Sequence, residues 1–375
     1  MPAEVLSRIA KFLGDPTDLH RLLHVNRRMF KIATPFRYAS IHIDMYLTLH
    51  RAALMYSSGD PVRRDIYRSA PRKVMLGARS DTPQWEFQRT FELLGTLTAV
   101  KSLYIWHLPH LPYGAFAGWI SSMSTLDTVE IISSTTQDFM PRYYTPKLPI
   151  TFPSLTRLHL VDFRWKFIQG NLDQSISSLA HLSSLPSLTS FCVDVRSWTA
   201  MARGRWCERL SFPSSVKEIE IIAGPDCTRN DLEDEAWARG IYRALPACAD
   251  ALEKLRVELP YETRAVLETP IRLPRLKVFV GPEGLQRSLI LEGPLTVLWV
   301  TTSAVVDIAR WDSIWPTLGN PSLLHMLRVG SWDTRSLGVA EVLSALPALE
   351  ELSIFTKTEL TKVEFPSSYP LFNLY

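Results

Sequence analysis

One hydrophobic pattern recurs along most of this 375-residue chain and limits the folds that it can adopt. Each copy has an apolar residue, two variable residues, a second apolar residue, one variable residue and a third apolar residue. Ten steps between copies average about 28 residues, a spacing typical of stacked supersecondary units. The copies begin at Pro71, Val100, Leu126, Leu155, Leu188, Val216, Leu252, Leu276, Leu295, Leu324 and Leu349, of which Pro71 and Leu276 open the two weaker ones.

The spacing predicts a short strand at the end of each copy, with the second and third apolar residues turned into a core. Strands stacked in this way form a curved parallel sheet, and the apolar stretches 172–182, 233–245 and 337–346 are expected to be helical and to cover it. The pattern is similar to that of leucine-rich repeats, with uneven step lengths and without the usual asparagine. We therefore predict an α/β fold with an irregular solenoid, and the alternative is the core of another parallel α/β fold.

Side chains two, four and six residues after each first apolar position are expected on the concave face, opposite the core. Aromatic and arginine side chains often anchor protein interfaces, and here charges of both signs separate them. This composition favours a protein or peptide target over a nucleic acid. The predicted substrate-binding residues are Tyr104, Trp106, Arg157, His159, Glu218, Glu220, Lys254, Arg256, Trp299, Arg328 and Phe355.

Residues 1–44 precede the repeats and read as three short helices. In the first, apolar residues follow helical spacing, Pro2 suits the first turn and Gly14 can end the helix. Pro16 follows a capping Asp15 at the start of the second, and Pro35 is expected to end or kink the third. Three such helices bury little apolar surface among themselves, so we expect an exposed face that a partner covers.

The residues of this segment resemble the F-box family of the fungal type. Matching positions are Pro2, Glu4, Val5, Leu6, Ile9, Leu13, Asp18, Leu19, Leu22, Leu23, Val25, Arg27 and Arg28. Met1 and Met29 depart from the family, which favours leucine and tryptophan there. The resemblance implies docking on a Skp-type adaptor and, through it, on a cullin-RING ligase. The adaptor-binding residues it implies are Pro2, Glu4, Val5, Leu6, Ile9, Leu13, Leu19, Leu22, Val25, Met29 and Phe30.

Three segments follow from these patterns: F-box-like helices at 1–44, a helical linker at 45–70 and the solenoid at 71–375. In the linker, Tyr46–Tyr56 is expected to be helical and residues 57–61 to form a break. Arg63, Arg64, Arg68, Arg72 and Lys73 form a basic segment around Tyr67. We interpret it as the junction between helices and repeats, and a nucleic-acid site is the alternative.

Composition limits the classes of partner and of cellular environment that the chain can have. A net charge of +3 does not demand a nucleic-acid partner, and no stretch of eighteen apolar residues or secretory leader is present. We therefore expect a soluble intracellular protein without a membrane partner. The four cysteines, Cys192, Cys207, Cys227 and Cys248, include no Cys-x-x-Cys pair and are expected to be buried, reduced thiols.

Motifs of catalysis are lacking: the sequence has no phosphate-binding loop, nucleophile elbow or His-Glu-x-x-His. His20 and His24 are one helical turn apart, but no third metal ligand accompanies them. We expect no cofactor, no metal and no enzymatic activity. The predicted function is that of a substrate receptor in a cullin-RING ubiquitin ligase. The alternatives are a repeat scaffold with a helical cap and a ubiquitin ligase that uses Cys207.

Overall fold

The computed structural model describes residues 2–13, 15–44, 59–77, 89–90, 92–106, 123, 125–132, 135–137, 154–161, 164–166, 182–194, 206–222, 239–258, 270–282, 285–286, 289–301, 320–329, 346–355 and 360–364. The chain forms two compact units, Met1–Gly170 (unit 1) and Asn171–Tyr375 (unit 2). Each has mixed α/β structure around parallel strands, so the predicted α/β class is confirmed.

Three helices open unit 1: α1 (Ala3–Phe12), α2 (Pro16–Leu23) and α3 (Arg27–Arg37). The Asp15 carboxylate accepts a hydrogen bond of 2.7 Å from the amide of Thr17, and Asn26 accepts one of 2.9 Å from the amide of Met29. These bonds satisfy amides that have no partner inside a helix, which is why α2 and α3 begin where they do. The predicted cap at Asp15 is thus confirmed.

Pro35 was expected to end or kink the third helix, and the helix does not end there: α3 continues to Arg37. Proline removes one amide donor near the end of the helix, where few hydrogen bonds remain to be lost. The Thr34 hydroxyl also donates a hydrogen bond of 2.6 Å to the carbonyl of Phe30.

A fourth helix, α4 (Pro61–Ser69), begins after Asp60, whose carboxylate accepts from the amides of Val62 and Arg63 at 2.9 and 3.3 Å. Aspartate followed by proline at the first helical position specifies this start. The helix predicted for Tyr46–Tyr56 lies outside the described residues.

Unit 1 contains β1 (Ser40–Asp44), β2 (Lys73–Gly77), β3 (Ser102–Trp106), β4 (Thr128–Ile132), β5 (Thr135–Gln137), β6 (Arg157–Val161) and β7 (Arg164–Lys166). The order β1-β2-β3-β4-β6 is parallel throughout, and β5 pairs with β7 separately. Strand β1 was not expected, since residues 1–44 were predicted to be helical.

Unit 2 contains β8 (Ser190–Asp194), β9 (Glu218–Ile222), β10 (Lys254–Glu258), β11 (Ile271–Arg272), β12 (Val278–Pro282), β13 (Leu289–Ile290), β14 (Val297–Thr301), β15 (Met326–Val329), β16 (Glu351–Phe355) and β17 (Leu360–Glu364). Their order is β8-β9-β10-β12-β14-β15-β16-β17, with β11 paired to β13. Only β17 runs antiparallel to its neighbour among these described strands.

The cross-strand register follows the repeat. The second apolar residues of successive copies lie opposite one another, from Phe191 and Ile219 to Leu255, Phe279 and Leu298. These five side chains are buried, as are the second apolar residues Val74 and Leu103 in unit 1. The sequence spacing thus gave the correct core positions.

A backbone motif joins neighbouring copies just before their strands. One carbonyl accepts hydrogen bonds from two consecutive amides of the next copy, with distances between 2.7 and 3.1 Å. Because the same bond pair recurs, each copy fixes the register of the next one. The accepting carbonyls belong to Ala39, Arg72, Lys101, Asp127, Thr189, Lys217, Glu253, Lys277, Thr296 and His325.

The outer segments are described only in part. Residues 239–244 are helical and lead into a 3-10 turn at Leu245–Ala247, in agreement with the helix predicted for 233–245. Two further 3-10 turns, Leu182–Ser184 and Pro321–Leu323, precede β8 and β15. The other two predicted helices, 172–182 and 337–346, lie almost wholly outside the described residues.

Candidate functional site

Helix α1 presents an exposed apolar stripe. Val5, Ile9 and Phe12 are 42%, 43% and 86% exposed, and their spacing of four and three residues places them on one side of the helix. Large apolar side chains with this exposure are shielded from water only when a second surface packs against them. This α1 stripe is therefore a candidate docking surface.

The stripe is one flank of a wider apolar arc on α1. Ala10 is buried, and Leu6 and Leu13 on the same flank are partly covered, while α1 packs against α3. The small, buried Ala10 lets α1 approach α3 closely. The flank of the arc that carries Val5, Ile9 and Phe12 stays uncovered.

The structure separates the predicted adaptor-binding residues into three groups. Leu19 and Met29 are buried and serve the core of the helical unit. Leu6, Leu13, Leu22 and Phe30 are partly exposed, whereas Pro2, Glu4, Val5, Ile9 and Val25 are exposed. Phe12 and Val62 were missing from the predicted set although both are exposed. Phe12 shares the helical spacing of α1 and could have been included on that ground.

An aromatic cluster joins α3 and its end to α4. The Tyr67 ring lies edge-on to Phe30 and Tyr38, with centroids 5.6 and 5.5 Å away. Burial raises the pKa of both tyrosines. The Arg72 guanidinium donates to the carbonyl of Ala99 at 3.3 Å. These contacts favour the interpretation of the basic segment as a junction.

On the strands of unit 1, the side chains predicted for the concave face lie opposite the buried apolar residues. Tyr104, Trp106 and His159 are partly exposed and Arg157 is exposed. The Lys73 ammonium lies 4.3 Å from the centroid of the Tyr104 ring, and the His42 and Trp106 rings are 6.3 Å apart. This face thus combines aromatic rings with a cation, a composition common in protein interfaces.

On unit 2, four charged residues of β9 and β10 form an ion-pair cluster, and Glu218 of β9 lies on the same face. Glu220 pairs with the ammonium of Lys254, and the Arg256 guanidinium lies 3.9 Å from the same carboxylate. Arg256 also donates from Nε to Glu258 at 2.8 Å, while Glu218 accepts from the Ser190 hydroxyl at 2.8 Å. Most of the charged side chains on this face therefore have a partner of opposite charge on the same face.

The next two strands, β12 and β14, carry apolar side chains at the matching positions, and β15 carries an arginine. The cross-strand register places Arg256, Val280, Trp299 and Arg328 in one row. The Arg328 guanidinium lies 5.1 Å from the Trp299 ring centroid and donates from Nη2 to Glu351 at 2.6 Å. The structure thus brings together six predicted residues of unit 2, from Glu218 to Arg328, on one face. The side chain of Phe355 lies outside the described residues.

The described cysteines, Cys192, Cys207 and Cys248, are buried and form no disulfide with one another. Burial raises the pKa of both Cys192 and Cys248 to about 12. Cys207 is 1% exposed, and a thioester-forming thiol must be reached by a large partner. Its burial therefore gives the Cys207-dependent ligase no structural support. Cys227 lies outside the described residues.

His20 and His24 have their Nε2 atoms 3.3 Å apart and share a hydrogen bond. No group of three or more potential metal ligands occurs among the described residues. In the same part of the chain, no helix combines the length and apolarity needed to span a bilayer.

Comparison of the sequence with protein-family models finds no match, and comparison with curated proteins finds none either.

Proposed function

We propose that this chain is a non-catalytic substrate-receptor subunit of a cullin-RING (SCF-type) ubiquitin ligase. Its first helices would act as an F-box-like unit that docks on a Skp-type adaptor. The strand repeats, as an irregular leucine-rich-repeat-like solenoid, would hold a protein target. The observation that carries the proposal is the α1 stripe, because it is an uncovered apolar surface on the three-helix segment that precedes the parallel strands.

In this function the chain makes and breaks no covalent bond. Holding a target beside a ubiquitin-charged enzyme raises the effective concentration of its lysines around the thioester. The partly exposed strand residues of unit 2, with Trp299 and Arg328 in contact, support a role of this face in target binding.

The test is complex formation between the purified full chain and a Skp-type adaptor in size-exclusion chromatography. Ile9→Glu or Phe12→Glu should weaken the complex at least about tenfold, because each places a charge in an apolar contact. Lys11→Glu on the same helix is the matched control and should leave binding unchanged. Point variants are preferable to removal of residues 1–44, since that deletion would remove β1, the strand paired with β2. Failure of the folded, unaltered chain to bind the adaptor would contradict the proposal.

A second candidate is a repeat scaffold whose helices only cap the array, without a ubiquitin role. One observation favours it: α3 leads within three residues into β1, the edge strand of unit 1. Solenoid ends require such covers. This candidate predicts that the full chain binds no adaptor, either unaltered or with any of the three charge substitutions on α1.

A further inference from the structure

A cleft with a volume of about 440 Å³ lies between α4 and the segment that joins α2 to α3. Its apolar wall is formed by the buried Leu23, the partly exposed Phe30 and Ile66, and Val62, which is 40% exposed. An exposed valine beside an accessible aromatic ring provides a contact for an apolar side chain of a ligand.

The polar part of the cleft has an excess of cations. Arg27, Lys31 and Arg63 line it together with His24, whereas Asp60 is the one carboxylate among its described lining residues. Arg27 and Lys31 are one helical turn apart, so both belong to the same face of α3. Both are exposed.

The single carboxylate does not offset this excess. Asp60 Oδ1 accepts from the amides of Val62 and Arg63, and its Oδ2 lies 3.6 Å from Arg63 Nε. The Arg63 guanidinium also lies 5.4 Å from the centroid of the Phe30 ring. Asp60 is thus engaged at the start of α4, which leaves Arg27 and Lys31 to interact with negative charge from a ligand.

We infer that this cleft binds an acidic peptide segment of a partner protein, with carboxylates beside Arg27 and Lys31 and an apolar side chain against Phe30 and Val62. The apolar wall favours a peptide over a nucleic-acid backbone, which would need cations but no such wall. This second contact goes beyond the proposed function, because it is charged where the α1 stripe is apolar. It holds whether or not the partner is a Skp-type adaptor.

The test is fluorescence anisotropy with the full chain and a labelled peptide of about sixteen residues, four helical turns, with leucine and glutamate at amphipathic spacing. A peptide with lysine in place of every glutamate is the control probe. The acidic peptide should bind and the basic one should not. Absence of binding by the acidic peptide, or equal binding of both, would overturn the inference.

Variants then locate the site. Lys31→Glu should weaken acidic-peptide binding about tenfold, whereas Arg275→Glu, the same charge change at an exposed position of unit 2, should leave it unchanged. Val62→Ser should weaken binding about threefold through lost apolar contact. Ile9→Glu should have no effect, which separates this result from the test of the α1 stripe. Two outcomes would overturn the inference. The first is peptide binding that is insensitive to Lys31→Glu. The second is peptide binding that a single-stranded oligonucleotide abolishes to the same degree in the Val62→Ser variant as in the unaltered chain.

Discussion

At the scale of single residues, Gly293 lies where two backbone segments of unit 2 nearly touch. A Cβ atom at Gly293 would be 2.4 Å from the amide nitrogen and 2.5 Å from the carbonyl oxygen of Leu276. Both atoms belong to the backbone, so no side-chain rotation can relieve the overlap. Gly240 has a comparable approach, with the Cys207 carbonyl oxygen 2.5 Å from its added Cβ.

Gly293→Ala should therefore lower the free energy of unfolding by about 1–3 kcal/mol, the usual cost of forcing extra atoms into a packed site. Gly59→Ala is the matched control, because a Cβ there meets no atom within 4 Å. Urea unfolding followed by circular dichroism measures both. Equal stability of the two variants would show that the backbone at Gly293 moves apart without cost.

The residues at which helices begin could largely be predicted from the local sequence, but the solvent exposure of single side chains could not. The cap at Asp15 could be predicted because its bond to Thr17 involves residues two positions apart. The exposure of Phe12 could not be predicted from the sequence, because it depends on which flank of α1 packs against α3. Leu19 and Met29 were predicted to contact a partner for the same reason, although both are buried.

At the scale of elements, the strands of the repeat copies followed from the apolar spacing. Strands β1 and β17 did not, nor did the short strands β5, β7, β11 and β13. Strand β1 has only the alternation of Ile41 and Ile43 around His42, which is too short to separate it from the preceding helix. Strand β17 pairs antiparallel with β16, an orientation that the repeat does not encode. End strands have a neighbour on one side only, so the pattern of internal copies does not specify them.

The ion-pair cluster of β9 and β10 should contribute to stability through Glu220. Glu220→Gln would leave Lys254 and Arg256 side by side without their shared carboxylate. Because both cations are partly exposed, we expect a loss of about 1 kcal/mol that shrinks in high salt. Glu292→Gln is the control, since Glu292 pairs with Arg272 at 3.4 Å on an exposed surface. Thermal unfolding at low and high salt measures the difference, and equal loss in the two variants would contradict it.

At the scale of the whole chain, stability is built from contacts between adjacent copies. Within each unit, the paired amide bonds to one carbonyl link successive described copies, and buried side chains form rows across the strands. The sequence indicated this architecture because the apolar spacing repeats. It did not indicate the division at Gly170 and Asn171, because apolar spacing specifies the strand within each copy and not how copies group into compact units.

Phe279→Ala tests this nearest-neighbour organisation within unit 2. Phe279 is fully buried in β12, which pairs with β10 and β14, so its truncation should cost about 3–5 kcal/mol. In a solenoid the loss falls mainly on adjoining copies, because each copy contacts only its neighbours. Hydrogen exchange should therefore rise most in β10, β12 and β14 and least in β8 and β16. Leu323→Ala, which removes an exposed apolar side chain, should leave exchange unchanged. A uniform rise across all strands of unit 2 would instead mean that the unit unfolds as one cooperative block.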